Sequence, residues 1–236
     1  MAKKLLVVGA HSADFLWRSA GTVALLTSQG AEALVLALSY GERGESGNLW
    51  KEEGQTVENV KRVRHEQAAQ AAKRVGASFR CLDLGDYPLI MTEDGMHQLV
   101  EVFREYEPDI VFTHTAKDPF NPDHPVAHEV VTKARLLTAG AGVDSAFKRI
   151  TPPDLYIFEP HQPELSGFMP NTYVDISSVF GKKVHAMDVM QAQAYLKDYY
   201  SELALRRGNH AKRISGKDVK YAEAFERMTP RVVGTL

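Results

Sequence analysis

Short apolar runs alternate with longer segments of helical periodicity across residues 1–135, and this alternation is the feature that most constrains the fold. The apolar runs predict buried strands at residues 5–9, 33–39, 79–84 and 109–115. The segments between them predict helices at residues 19–29, 56–75 and 92–106, and a fourth from about Val126 onward. Strands joined by helices pair in parallel through right-handed crossovers. The sequence therefore predicts an α/β fold, with a mostly parallel sheet covered by helices on both faces.

The remainder of the chain continues this pattern less regularly. A stretch with the composition of a linker, Ala139–Pro153, precedes a predicted fifth strand at Leu155–Glu159. We also expect a short strand at Tyr173–Ile176, helices from about Val179 to Arg206, and a last short helix at Tyr221–Met228. Because no composition shift marks a boundary, the prediction is one domain over residues 1–236.

Composition excludes several functional classes. The 28 Lys and Arg against 30 Asp and Glu leave a net charge of -2, so we expect no nucleic-acid or membrane partner. Cys81 is the only cysteine and cannot form an internal disulfide, which fits a reducing compartment. The apolar run after Lys4 is too short for a signal peptide or a membrane span. The prediction is a cytoplasmic protein.

Three residues with metal-binding side chains follow predicted strands. His11 and Asp14 come directly after the first strand, and His124 comes after the fourth. Ligands of open α/β sheets collect at the carboxyl ends of the strands. Two imidazoles and one carboxylate can hold a divalent cation and leave positions open for water and substrate. His11, Asp14 and His124 therefore predict a metal site, for which zinc is favoured and ferrous iron or cobalt are alternatives.

Further polar residues fall near the same sheet edge. Glu42 and Glu45 lie on a glycine-rich loop after the second strand, where a carboxylate can orient a metal-bound water or accept its proton. His161 follows the fifth strand, and an ordinary histidine pKa of about 6.5 suits a general acid. His114 ends its strand and is either a support for the metal ligands or a structural residue, whereas His128 is expected on a helix near the site.

Three basic residues, Arg43, Arg64 and Lys117, lie near predicted strand ends or their adjoining helices. Such side chains can bind a carboxylate or a phosphate, although surface solubility is the favoured explanation for each one taken singly. The chain has neither a G-x-G-x-x-G fingerprint after its first strand nor a Walker-type Gly-Lys-Ser/Thr, so we do not expect a nucleotide ligand.

Two motifs carry a resemblance to a known family. Ala10-His11-Ser12-Ala13-Asp14 resembles the Ala-His-Pro-Asp-Asp signature of the PIG-L/LmbE-like zinc deacetylases, and Asn121-Pro122-Asp123-His124 resembles their downstream His-Pro-Asp-His. The likeness extends to the loop at residues 41–45, to Arg64-x-Glu66 and to the helix at residues 183–193. The resemblance implies a Rossmann-like, LmbE-like version of the α/β fold. It also implies that His11, Asp14 and His124 are the metal ligands.

The sequence departs from the family at two positions that carry protons. The family's general base is the first Asp of its Asp-Asp pair, which is Ala13 here, and its other active-site histidine is Asn121 here. A methyl group cannot take a proton from water, so these residues do not predict the family's amide hydrolysis. Addition of water to a conjugated double bond has no leaving amine. It requires a nucleophilic water, a cation that lowers the pKa of that water, and an acid.

The Ala-His-Ser-Ala-Asp variant resembles one branch of the family, which hydrates the polycarboxylate 4-oxalomesaconate in bacterial gallate and protocatechuate degradation. That resemblance implies a lyase in which Glu45 activates the water and His161 is the catalytic acid. The substrate-binding residues expected for such an anion are Arg43, Arg64, Lys117 and Asn121. Because family members often assemble, a homo-oligomer is expected.

Two alternatives remain open from the sequence. One is an N-acyl deacetylase of the N-acetylglucosamine type whose base has moved, for instance to Glu45. The other is a metal-binding relative without catalysis, in which Ala13 is a lost catalytic residue.

Overall fold

The computed structural model describes residues 2–235, so Met1 and Leu236, which the one-domain prediction includes, lie outside it. Within residues 2–235, seven strands form one sheet: β1 Lys4–Gly9, β2 Glu32–Ala37, β3 Ser78–Cys81, β4 Ile110–Thr113, β5 Asp154–Phe158, β6 Thr172–Asp175 and β7 Ala222–Arg227. The same residues form seven α-helices: α1 Asp14–Ser28, α2 Val57–Arg74, α3 Glu93–Tyr106, α4 Asp123–Leu137, α5 Pro163–Ser166, α6 Phe180–Met187 and α7 Leu196–Ser215. None of these helices is long and apolar enough to cross a bilayer.

The sheet has the strand order β3-β2-β1-β4-β5-β7-β6. Strands β1 to β5 are parallel to one another, as predicted, and Val7 of β1 pairs with Val35 on one side and Phe112 on the other. The chain winds outward from β1 in one direction and then from β4 in the other, so the order reverses between β1 and β4. A crevice forms at the carboxyl ends of strands at such a reversal, and ligands bind there.

Alternation along β1 divides the core into two layers. Leu5 and Val7 pack with apolar residues of α1, α2, α6 and α7 on one face of the sheet. Leu6 and Val8 pack with residues of α3 and α4 on the other face. Successive strand side chains point to opposite faces, so a central parallel strand must be apolar throughout. The predicted α/β fold with helices on both faces is confirmed.

Two predicted helix starts are confirmed by their caps, and two others come earlier than predicted. Thr56 accepts a hydrogen bond from the backbone of Asn59, and Thr92 accepts one from Gly95, which satisfies free N–H groups at the starts of α2 and α3. In contrast, α1 begins at Asp14 rather than residue 19, and α4 begins at Asp123 rather than near residue 126. A carboxylate stabilises the positive first turn of each helix.

The prediction of a last helix at Tyr221–Met228 is wrong, because these residues contain strand β7. The Ala- and Glu-rich composition favours a helix locally, but β7 lies between β5 and β6 and pairs antiparallel with both. Tertiary pairing on both edges outweighs a propensity of a few tenths of a kcal/mol per residue. The predicted helical stretch from Val179 is also divided: α6 ends at Met187, and α7 extends beyond Arg206 to Ser215.

Candidate active site

Four side chains with metal-binding atoms meet at the carboxyl ends of β1 and β4. His11 lies in the turn after β1, Asp14 is the first residue of α1, Glu45 is on the loop after β2, and His124 is in the first turn of α4. One potential ligand atom of each lies within 4.8 Å of all the others. The early starts of α1 and α4 therefore place Asp14 and His124 on rigid helix ends that face each other.

Each histidine of this cluster is held by a carboxylate on its outer nitrogen. His11 Nε2 lies 3.1 Å from Asp123 Oδ2, and His124 Nδ1 lies 2.8 Å from Asp118 Oδ2. The inner nitrogens, His11 Nδ1 and His124 Nε2, are buried and have no hydrogen-bond partner within residues 2–235. Carboxylate–histidine pairs of this kind orient histidines that bind metals. Two orphaned ring nitrogens directed into a cage of carboxylates fit a divalent cation.

Asp14 makes the densest set of contacts in the cluster. Its Oδ2 accepts a hydrogen bond from the His11 backbone at 2.7 Å, and its Oδ1 accepts one from Arg18 Nη1 at 2.9 Å. His114 Nε2 lies 3.0 Å from Oδ2, and the His114 ring stacks on that of His124 with centroids 4.0 Å apart. Burial opposes ionisation, but His114, Arg18 and His124 hold the pKa of Asp14 well below its usual value. His114 thus supports the cluster.

Glu45 is clamped by two side-chain amides. Asn121 Nδ2 donates to Oε1 at 2.9 Å, and Gln193 Nε2 donates to Oε2 at 3.2 Å. Burial alone would raise the pKa of Glu45, but the adjacent His11 ring outweighs it and lowers the pKa to about 2. Glu45 is therefore a fixed, ionised carboxylate beside the two orphaned nitrogens.

The cluster opens into a cavity of about 230 Å³. Glu45, His124 and His161 all line it, and aromatic side chains from helices α1 and α7 and from the loops form much of its wall. His161 is half-buried, and its ring lies 4.3 Å from that of Tyr199. Burial and the Arg18 cation lower the pKa of His161 below its ordinary value. The two residues predicted to move protons, Glu45 and His161, thus face one space.

The structure places the three predicted basic residues outside the lining of this cavity. Arg43 has a side chain that is 53% exposed and donates to the Asp86 carbonyl, and Lys117 is exposed at the surface. Arg64 is fully buried and donates to Gln193 Oε1 at 3.2 Å, so it supports the residue that holds Glu45. None of the three lines the cavity. The predicted substrate contacts of these residues lack support in the geometry.

Asn121, the fourth residue predicted to bind substrate, does line the cavity, although its amide nitrogen is already bonded to Glu45. Glu42 is buried beside Arg43 and Lys61 and is outside the cavity lining. His128 lies on α4 and its Nδ1 is 2.8 Å from the His114 carbonyl, so it is close to the site without facing it.

Sequence reasoning missed four residues of the site: Arg18, Asp118, Asp123 and Gln193. Arg18 was detectable, because it follows Asp14 by four residues and a helix places such pairs on one face. Asp118 lies in the polar loop before α4, and Asp123 is the first residue of that helix. Gln193 had no local signal, since it is 148 residues from Glu45.

A carboxylate-supported cluster of two histidines and two carboxylates, at the reversal point of a mostly parallel sheet, defines an α/β protein with a candidate metal site. The family model of the GlcNAc-PI de-N-acetylases, PIG-L, matches residues 6–135. The chain belongs to the PIG-L family, as its two motifs predicted.

Individual relatives divide into two groups. The chain is 42% identical to the 4-oxalmesaconate hydratase of Pseudomonas putida, over 99% of this chain and 92% of that protein. It superimposes on the crystal structure of GalB, the 4-carboxy-2-hydroxymuconate hydratase of that species, with a TM-score of 0.95 over 99% of both chains. It is 26% identical to a 1D-myo-inositol 2-acetamido-2-deoxy-alpha-D-glucopyranoside deacetylase of Rhodococcus erythropolis over 66% of this chain and 60% of that protein.

Proposed function

We propose that the chain is a metal-dependent hydratase of 4-oxalomesaconate, also called 4-carboxy-2-hydroxymuconate. It adds water to the conjugated double bond and forms 4-carboxy-4-hydroxy-2-oxoadipate in gallate and protocatechuate degradation. One observation carries this proposal. Ala13 and Asn121 replace the family's proton-transfer groups, whereas Glu45 and His161 line one cavity beside a complete set of metal-binding side chains. The 42% identity to a hydratase along nearly the whole chain supports it.

His11, Asp14 and His124 are the proposed metal ligands, and the orphaned nitrogens of the two histidines support that assignment. Zinc is the proposed metal. When bound, such a cation supplies positive charge that makes a neighbouring water molecule more acidic and polarises an anionic substrate. The proposal also includes a homo-oligomer and a cytoplasmic location. Metal analysis of the purified protein tests the metal, and measurement of its size tests the oligomer.

Glu45 is the proposed base. Each of its oxygens accepts one amide proton, from Asn121 or Gln193, and keeps a lone pair for a water molecule. Because its pKa is low, the carboxylate is ionised at neutral pH, and its two amide partners fix the direction of that lone pair. Glu45 accepts a proton from the water whose oxygen forms the new carbon–oxygen bond.

His161 is the proposed acid. The electron pair released from the double bond takes a proton from its imidazolium. Glu45 then gives its proton to solvent, and His161 regains a proton from solvent for the next turnover. Burial and Arg18 lower the pKa of His161, whereas an anionic substrate in the cavity favours the charged ring. Protonation of His161 therefore accompanies substrate binding, and no amine has to leave.

The test is loss of the conjugated ultraviolet absorbance of 4-oxalomesaconate with the metal-loaded protein. We expect the absorbance to fall with time, a chelator to abolish this fall, and added metal to restore it. Glu45→Ala and His161→Ala are expected to lower turnover at least 100-fold, in line with general acid–base catalysis, with metal content near one per chain. The exposed residues Glu53 and His97 provide matched controls, Glu53→Ala and His97→Ala, which should behave as the parent.

Two results would contradict this assignment. Hydration that persists in the chelated protein would exclude a role for the metal. A fully metal-loaded protein that leaves the substrate unchanged but releases acetate from N-acetylglucosamine conjugates would establish the deacetylase alternative, with Glu45 as its base.

A further inference from the structure

Arg18 is a buried cation in the wall of the cavity. It follows Asp14 by four residues on α1, and its side chain is 5% exposed. Its Nη1 donates to Asp14 Oδ1, whereas its buried Nε has no hydrogen-bond partner within residues 2–235. Its guanidinium carbon lies 5.7 Å from the centroid of the Phe158 ring, so an aromatic side chain flanks the charged group.

Among the side chains of the cavity wall, Arg18 is a fixed positive charge that can attract an anion. Two carboxylates, Glu45 and Asp118, face the cavity, and Arg18 is the one Lys or Arg among its described lining residues. A guanidinium has five N–H donors in a planar fork that matches a carboxylate, and Asp14 uses one of them. Repulsion from two fixed carboxylates disfavours a polycarboxylate unless a cation offsets it.

The turn of α1 that carries Arg18 is fixed by hydrogen bonds to helix α6 and strand β7. Lys183 Nζ donates to the Trp17 carbonyl at 2.9 Å and pairs with Glu223 at 2.7 Å. Glu223 in turn accepts from the backbone N–H groups of Gly21 and Thr22 at 2.9 and 2.7 Å. This network of strand β7 and helix α6 fixes the backbone on both sides of Arg18. The guanidinium is therefore preorganised, which lowers the entropy cost of binding an anion.

We propose that Arg18 binds a carboxylate group of the substrate. The identity of that substrate rests on the proposed function, but the chemical class of the ligand, a carboxylate-bearing anion, rests on the cavity alone. If Arg18 only supported Asp14, it would need one N–H donor. Such a role leaves unexplained why the single Arg of the wall keeps a buried Nε without a hydrogen-bond partner within residues 2–235.

The test compares Arg18→Met and Arg18→Lys with the parent protein in metal-loaded form. Binding of tricarballylate, a tricarboxylate without a reactive double bond, is measured by calorimetry, and kcat, KM and metal content are measured for 4-oxalomesaconate hydration. Loss of a charged hydrogen-bond pair predicts that Arg18→Met weakens tricarballylate binding and raises KM about 10- to 100-fold. The drop in kcat should be smaller, and metal content should not change.

Arg18→Lys restores the charge but not the planar fork, so intermediate values are expected. The control is Arg62→Met, which removes an exposed arginine on α2 and should behave as the parent. Unchanged tricarballylate affinity and KM in Arg18→Met would overturn the inference, as would a variant whose only defect is loss of metal. If the parent binds tricarballylate through Arg18 but does not hydrate 4-oxalomesaconate, the inference stands and only the proposed function fails.

Discussion

Asn121→Asp replaces one amide group with a carboxylate of the same shape next to Glu45. The variant keeps the acceptor that receives the Asp123 backbone N–H at 3.0 Å, so the local fold is preserved. It changes the partner of Glu45 Oε1, 2.9 Å away, from a hydrogen-bond donor to a negatively charged oxygen. The substitution therefore tests whether function requires an ionised Glu45.

The magnitude follows from the distance. Two unit charges about 4 Å apart repel by roughly 4 kcal/mol at an effective dielectric constant near 20, and the contact here is closer. At about 1.4 kcal/mol per pKa unit, this repulsion raises the pKa of Glu45 by about 3 units from its value of about 2. Glu45 must be ionised to accept a proton. Because its pKa is raised in the variant, the variant loses activity at a higher pH than the parent as the solution is acidified.

The measurement is kcat/KM for 4-oxalomesaconate across the acidic range, with metal content determined at each pH. We expect the acidic limb of Asn121→Asp to lie up to about 3 pH units above that of the parent. Gln193→Glu is the comparison, because Gln193 Oε1 already accepts from Arg64 Nη1 at 3.2 Å, and this cation partly neutralises the new carboxylate. An acidic limb that stays at the parent's pH in Asn121→Asp would refute the assignment of Glu45 as the base.

Two further substitutions test the site and its support. Ala13→Asp adds a carboxylate at a fully buried position beside Asp14. Repulsion of roughly a few kcal/mol should strongly reduce hydration without producing a good deacetylase. A variant that hydrates at the parent rate would contradict this. Lys183→Met leaves buried Glu223 without its cation and should lower the free energy of unfolding by about 3 to 5 kcal/mol, measured with urea. The double variant with Glu223→Gln should recover part of that loss, and a double variant less stable than Lys183→Met would show that the charge pairing is not the cause.

Much of the fold could be predicted because each element carries its own local signal. The apolar run of β1 is required by burial on both faces, and Thr56 and Thr92 mark the starts of α2 and α3. β7 lacked such a signal. Its residues favour a helix in isolation, and the reasons for a strand are its two neighbours and the buried contacts of Glu223.

The candidate site was predictable where one rule of topology applies. His11, Asp14 and His124 meet because the carboxyl ends of adjacent parallel strands share one edge. The position of the basic side chains was not predictable in this way, because a residue near a strand end can project in several directions. Arg64 turned into the protein behind Gln193, and Arg43 and Lys117 turned outward.

The replacement of two family residues has a joint physical consequence at Glu45. A histidine at position 121 is itself a group that takes up and releases protons, whereas the amide of Asn121 does neither at neutral pH and can only hold its neighbour. With Ala13 unable to accept a proton, Glu45 is the one ionised carboxylate of the four-residue cluster whose oxygens are both held by uncharged amides. In the proposed mechanism, Ala13 and Asn121 thus offer no competing proton site, and Glu45 is the one base, held in a fixed direction. That arrangement suits addition of water, because this reaction needs no proton delivered to a leaving amine on the same side.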